Sequence, residues 1–216
     1  MAMLSRDEFD TIEFGAARTG DHRAAALQMS QLASSRTQSD EMSRAEALLR
    51  AGEQWLLADD PPAAADDFRR ALADGGATAV EARVSLARAL FQLGQPGEAR
   101  ELIGQLEEGG RTDPKKCDLV AELLVEQSDM IGALDWANTG VELCLAAEPA
   151  KAEPAKTTGL PVTGSGADDV PGSVVPRQLP PAVDRTELRM LLSLRYRIRN
   201  DMGLEEDAYD KLLDEF

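Results

Sequence analysis

Residues 51–71 read AGEQWLLADDPPAAADDFRRA, and this stretch decides the fold. Gly52 and Trp55 stand about one helical turn apart, Asp59-Asp60-Pro61 interrupts the pattern, and Ala64, Phe68 and Ala71 resume it at helical spacing. A polar pair followed by proline ends one helix and opens the next, because proline suits the first helical position, where its missing N–H has no partner to lose. The stretch therefore predicts two antiparallel helices joined by a sharp turn. Small residues at the crossing let their backbones approach, so that ridges settle into grooves.

The same hairpin returns twice downstream. Leu86, Ala87 and Leu90 precede a turn at Gly94-Gln95-Pro96, followed by Ala99, Ile103 and Leu106. Val120, Ala121 and Leu124 precede Ser128-Asp129, followed by Ala133, Ala137 and Gly140. The lead alanines, Ala64, Ala99 and Ala133, lie 35 and 34 residues apart. Such a period marks stacked supersecondary units that bury their faces against one another. Local chemistry agrees. Ser43-x-x-Glu46 and Thr78-x-x-Glu81 read as capping boxes, and Thr112-Asp113-Pro114 as a polar cap before proline. Gly75-Gly76 and Gly109-Gly110 follow the second helices, where left-handed C-caps favour glycine. A fainter copy comes first, with Ser5-x-x-Glu8, a turn at Gly20-Asp21, Ala25 at the lead position and Met29 in place of Phe68. Terminal repeats are often atypical, since one face meets water.

This pattern resembles the tetratricopeptide repeat (TPR), a pair of antiparallel helices of 34 residues. The family's small crossing residue falls on Gly52, Ala87 and Ala121, and the bulky residue after it on Trp55, Leu90 and Leu124. Its small residue opening the second helix falls on Ala64, Ala99 and Ala133, with Ala71 further along the first copy. Its aromatic is kept as Phe68 and replaced by Ile103 and Ala137. The resemblance implies an all-α protein, a right-handed superhelical array of antiparallel helix pairs. Residues 1–40 would form a divergent hairpin and 41–145 three repeats, at about 45–78, 80–113 and 114–147.

In this family the first helices line a concave groove that binds extended or helical partner segments. The matching positions are Glu46, Leu49, Glu53 and Leu56, then Glu81, Val84, Arg88 and Phe91, then Lys115, Asp118, Glu122 and Val125. They predict apolar islands in an acidic field, suited to a segment with Leu-like anchors and basic charge. A solvated acidic face is the plainer reading of the same carboxylates. One TPR subtype grips a chaperone's C-terminal carboxylate with Lys and Asn. Leu49, Glu53, Val84 and Arg88 lack that pattern, so a chaperone tail is not expected.

Beyond Cys144 the composition changes. Seven of the eleven prolines fall within 146–184, whereas the other four sit at expected helix starts, so this segment is expected to be a disordered linker. Helix resumes with Asp184-x-x-Glu187. Leu188, Leu191, Leu192, Ile198 and Met202 form an apolar stripe among Arg185, Arg189, Arg195, Arg197 and Arg199. Gly203 ends it, and residues 204–216 suggest a second short helix. The hairpin 185–216 is expected to cap the last repeat. Two alternatives stand beside that: the Arg-rich helix occupies the acidic groove of its own chain, or exchanges between two chains to make a homodimer.

The formal charge of -16 opposes contact with nucleic acid and with anionic lipid. No apolar run approaches the roughly 20 residues of a membrane span, and the acidic N-terminus lacks a signal peptide's apolar core. A cytoplasmic protein is expected. Its Ala, Arg, Asp and Gly richness fits a GC-rich bacterial genome. Cys117 and Cys144, with no His nearby, suggest buried thiols rather than zinc ligands or a redox pair.

No catalytic site, metal or cofactor is expected. His22, the one histidine, sits at a predicted turn without a neighbouring nucleophile motif, and no phosphate-binding glycine loop is present. Asp59-Asp60 and Asp66-Asp67 fit a turn and a helix start. Trp136 reads as core or cap packing. Two functions remain: an adaptor that binds a partner segment, and a peptide-responsive regulator whose C-terminal helix is displaced.

Overall fold

A computed structural model describes residues 2–146 and 185–216. The described residues are all-helical, with consecutive helices packed in pairs and one isolated bridge between Met3 and Thr37. The expected linker falls almost wholly on 147–184, outside the described residues. The chain forms two compact units, Met1–Arg111 and Thr112–Phe216. The division thus falls between the second and third expected repeats, and the third shares a unit with the C-terminal segment.

The first unit holds α1 (Arg6–Thr19), α2 (His22–Ser35), α3 (Arg44–Leu57), α4 (Pro61–Asp74), α5 (Ala79–Gln92) and α6 (Pro96–Glu108). Each packs on the next, and α5 also touches α3. Phe9, Met29, Leu48, Phe68, Leu90 and Leu106 are fully buried in its core. Gly52 is required by packing: a Cβ there would lie 2.3 Å from the Phe68 ring. Met29, at the position equivalent to Phe68, is equally buried.

Polar bonds tie neighbouring helices together. Trp55 Nε1 donates to Asp67 Oδ2 at 3.2 Å, and Ser30 Oγ donates to the same oxygen at 2.5 Å. Arg70 Nη1 donates to Asp67 Oδ1, also at 2.5 Å. Asp67 is 3% exposed, so these donors meet the demand of a buried carboxylate for partners. It is more than a residue at a helix start. His22 Nδ1 is hydrogen-bonded to Gln54 Oε1 at 2.9 Å, which joins α2 to α3 and makes this half-buried histidine part of the packing.

The second unit holds α7 (Pro114–Glu126), α8 (Met130–Ala146), α9 (Arg185–Asp201) and a 3-10 turn (Asp210–Glu215). That turn stands where a second α-helix was expected. Helix α9 lies on α8 and, less extensively, on α7, and the 3-10 turn lies on α9. Val141, Cys144, Leu188, Leu191, Leu192 and Leu212 form its core cluster. Gly140 is again a point of closest approach, since a Cβ would lie 2.7 Å from Leu191 Cδ2. Ala137 takes the position of Phe68, while the adjacent Trp136 supplies a buried aromatic. Both cysteines are buried.

The hairpin turns repeat in backbone detail. Asp59, Gly94 and Ser128 adopt φ of 56°, 70° and 61°. The N–H of each following residue, Asp60, Gln95 and Asp129, donates to Trp55, Leu90 and Leu124 carbonyls at 2.9 Å. This is the Schellman ending, in which a left-handed residue lets the chain satisfy carbonyls of the last helical turn. Ser43, Asp60, Asp113 and Asp129 accept the first-turn amides expected of N-caps. Ser5 and Thr78 do not: the helix start at Ser5 and the predicted capping box at Thr78 both lack the side-chain bond. Thr78 has ψ of 9°, away from the extended conformation typical of an N-cap.

Candidate partner-binding surface

Helix α9 ends in the same turn. Gly203 has φ of 69°, and Leu204 N–H donates to the Arg199 carbonyl at 3.0 Å. Aligning Arg199 with Trp55, Leu90 and Leu124 brings α9 into register with α3, α5 and α7. Leu191, Arg195 and Ile198 then match Ala47, Ala51 and Gln54 of α3, and all six are buried. Helix α9 is thus equivalent to a fourth first helix. Residues 147–184 precede it, where 75–78 suffice between α4 and α5. At the small crossing position it carries Tyr196, which is 40% exposed because no long second helix follows.

The twelve sequence-predicted groove residues divide by accessibility. Leu49 and Val84 are buried, at 7% and 1% exposure, and offer little surface to a ligand. Leu56, Phe91 and Val125 are half-buried, as are Glu46, Glu81, Arg88 and Asp118. Glu53, Lys115 and Glu122 are exposed. The surface is more polar than the predicted apolar islands.

In the first unit, α1 reaches the first-helix side through ion pairs. Arg50 Nη2 contacts Asp10 at 2.5 Å and Glu13 at 2.6 Å, and Arg6 pairs with Glu46 at 2.7 Å. The hydrogen bond to Glu13 is the main influence raising Arg50 above its ordinary pKa. Glu53 remains open to solvent, yet its carboxyl is also raised. Loss of hydration contributes most, followed by repulsion from Glu13, while Arg50 and Arg88 oppose it.

In the second unit, two adjoining cavities of about 430 and 400 Å³ open between α7 and α9. Both are lined by Asp118, Glu122, Thr186 and Met190. The first adds Arg189 and Arg197, and the second adds Lys115, Leu119 and Glu187. Asp118 is raised to about 6 by loss of hydration, then by Glu122 and Glu187, against the pull of Arg197. By the register above, Met190, Ser193, Arg197 and Asn200 take the groove positions of α9. The sequence reading missed them, although Gly203, as a left-handed cap, was a usable signal.

The Arg-rich face of α9 is partly committed elsewhere. Arg195, 3% exposed, donates to Asn138 at 2.7 Å, to Asp210 at 2.5 Å and to Asp207. Arg199 donates to Asp210 at 2.9 Å. Burial is the largest single influence and acts against the Asp207 carboxylate, but the hydrogen bonds from Arg195 and the Asp210 N–H, with the charges of Arg195 and Arg199, together hold this group below its ordinary range. Among the described residues, no three His, Cys, Asp or Glu side chains are grouped to hold a metal, and no helix is long and apolar enough to cross a membrane. The sequence matches no family model and no curated protein.

Proposed function

We propose that this chain is a TPR-like, non-enzymatic scaffold whose first helices bind a segment of a partner protein. In this reading the helix pairs stack as a right-handed superhelix, and the protein works in the cytoplasm. The observation that carries it is the repeated Schellman turn at Asp59, Gly94 and Ser128, 35 and 34 residues apart. The same positions of successive first helices are thereby set in one register. Acidic groups concentrate there, at Glu53 and Glu81 in one unit and Asp118 and Glu122 in the other. Charge would steer a basic partner, and the half-buried Leu56, Phe91 and Val125 would supply contact area.

The alternative is a regulator whose Arg-rich helix blocks its own groove or exchanges between chains. It is less favoured because Arg195 and Arg199 are engaged by Asp207 and Asp210, and the apolar stripe of α9 packs in its own unit. Capture from the native extract distinguishes the readings. A partner held by the full chain should be lost on Glu53→Lys or Glu122→Lys and kept on Glu101→Lys, which alters an exposed position of α6. Equal capture by all three variants would sink the groove reading. Stronger capture by residues 1–145 would favour the self-blocked regulator.

A further inference from the structure

The cavity lined by Lys115, Asp118, Leu119, Glu122, Thr186, Glu187 and Met190 is asymmetric in charge: three carboxylates face a single ammonium. Its volume of about 400 Å³ lies within the range of roughly 300–1,000 Å³ usual for ligand pockets. Leu119 and Met190 provide apolar surface beside those carboxylates, and Met190 is 55% exposed. Arg189 and Arg197 line the adjoining cavity and repel a cation from that side. A long side chain with an apolar stem and a cationic head fits this arrangement, as amphipathic side chains divide themselves between apolar and polar surroundings.

We propose that the cleft between α7 and α9 seats a lysine or arginine side chain of a bound protein segment, with its stem on Leu119 and Met190 and its head among Asp118, Glu122 and Glu187. This rests on the scaffold reading and names the residue type that the second unit selects. Asp118, already crowded by Glu122 and Glu187 and relieved in part by Arg197, gains a counter-charge when the cation enters. Its titration therefore moves down on binding.

The test uses the full chain and short peptides selected from a random displayed library. Selected peptides should share a basic residue beside an apolar one. Their affinity should fall about tenfold in Asp118→Asn/Glu122→Gln and also weaken in Glu187→Gln, on the opposite wall. It should hold in Glu101→Gln/Glu108→Gln, which removes equal charge from exposed positions of α6. The carboxyl carbon of Asp118, followed by NMR, should titrate from about 6 toward ordinary values when a peptide is bound. Binders without a basic residue, equal weakening in both double variants, or an unmoved Asp118 titration would overturn the cleft proposal and leave the scaffold reading standing. Failure to select any binder would count against both.

Discussion

Helices α3 and α9 share one register and are closed over by different means. On α3, Ala51 faces inward and Gly52 receives the Phe68 ring of α4, so the contact is apolar and very close. On α9 the position of Ala51 is Arg195, and the segment that follows is a 3-10 turn carrying Asp207 nearby and Asp210 within it. Long second helices bury area, with a Phe-sized side chain contributing about 1.5–3 kcal/mol. A short turn has little area to offer. Here Arg195 and Arg199 meet Asp207 and Asp210 in a balanced set. The same register can be covered with charge where a short turn takes the place of a second α-helix.

The largest expected effect attacks the charged closure. Arg195→Ala leaves Asp207 and the buried Asp210 to share Arg199 alone, and should cost the second unit about 3–5 kcal/mol in urea unfolding. Replacing the set together, with Arg195→Met, Arg199→Met, Asp207→Asn and Asp210→Asn, should recover much of that loss. If Arg195→Ala proves neutral, the network does not close this end. The corresponding blow to the apolar closure is Gly52→Ala. Its Cβ meets the Phe68 ring, and overpacking should cost about 1–3 kcal/mol, with Phe68→Leu restoring stability in the double variant.

A smaller contrast sharpens the comparison between turns. Ser43→Ala should lose about 1 kcal/mol, because Ser43 Oγ accepts the Glu46 N–H at 3.0 Å. Thr78→Ala should leave the urea midpoint almost unmoved, since its hydroxyl makes no cap bond. The smallest effect is in pH dependence, where the two aspartates act with opposite sign. Asp207 is depressed, so its contribution is present above the ordinary value of about 3.9 and is lost as pH falls through the folded value. Asp118 is raised, so stability present below about 3.9 is lost as pH rises toward about 6. Asp118→Asn should flatten the urea midpoint between those two values and leave the acid limb in place.

The turns were legible because each is a short-range instruction. Pro61 and Pro96 mark helix starts, and Gly94 supplies a left-handed residue without steric cost. Asp59 and Ser128 do the same duty with a Cβ present, and the period exposed them. The place of α9 was harder to read. Residues 147–184 interrupt the period, and Arg195 occupies a position that is apolar in α3, α5 and α7. Among the groove residues, the burial of Leu49 and Val84 was equally hidden, because helical spacing assigns a face but does not say how closely neighbours cover it.

The sequence by itself determined a helical protein, the spacing of its hairpins, the residues that turn the chain and the small residues at the crossings. These follow from backbone preferences and packing positions that act within a turn or two of helix. Only the tertiary structure decided that α9 takes a first-helix place on α7 and α8, that Arg195 is neutralised by Asp207 and Asp210, and that Asp118, Glu122 and Glu187 share one cleft. Those outcomes depend on groups distant in the chain. Burial and Coulomb forces follow separation in space, and spacing along the sequence does not encode it.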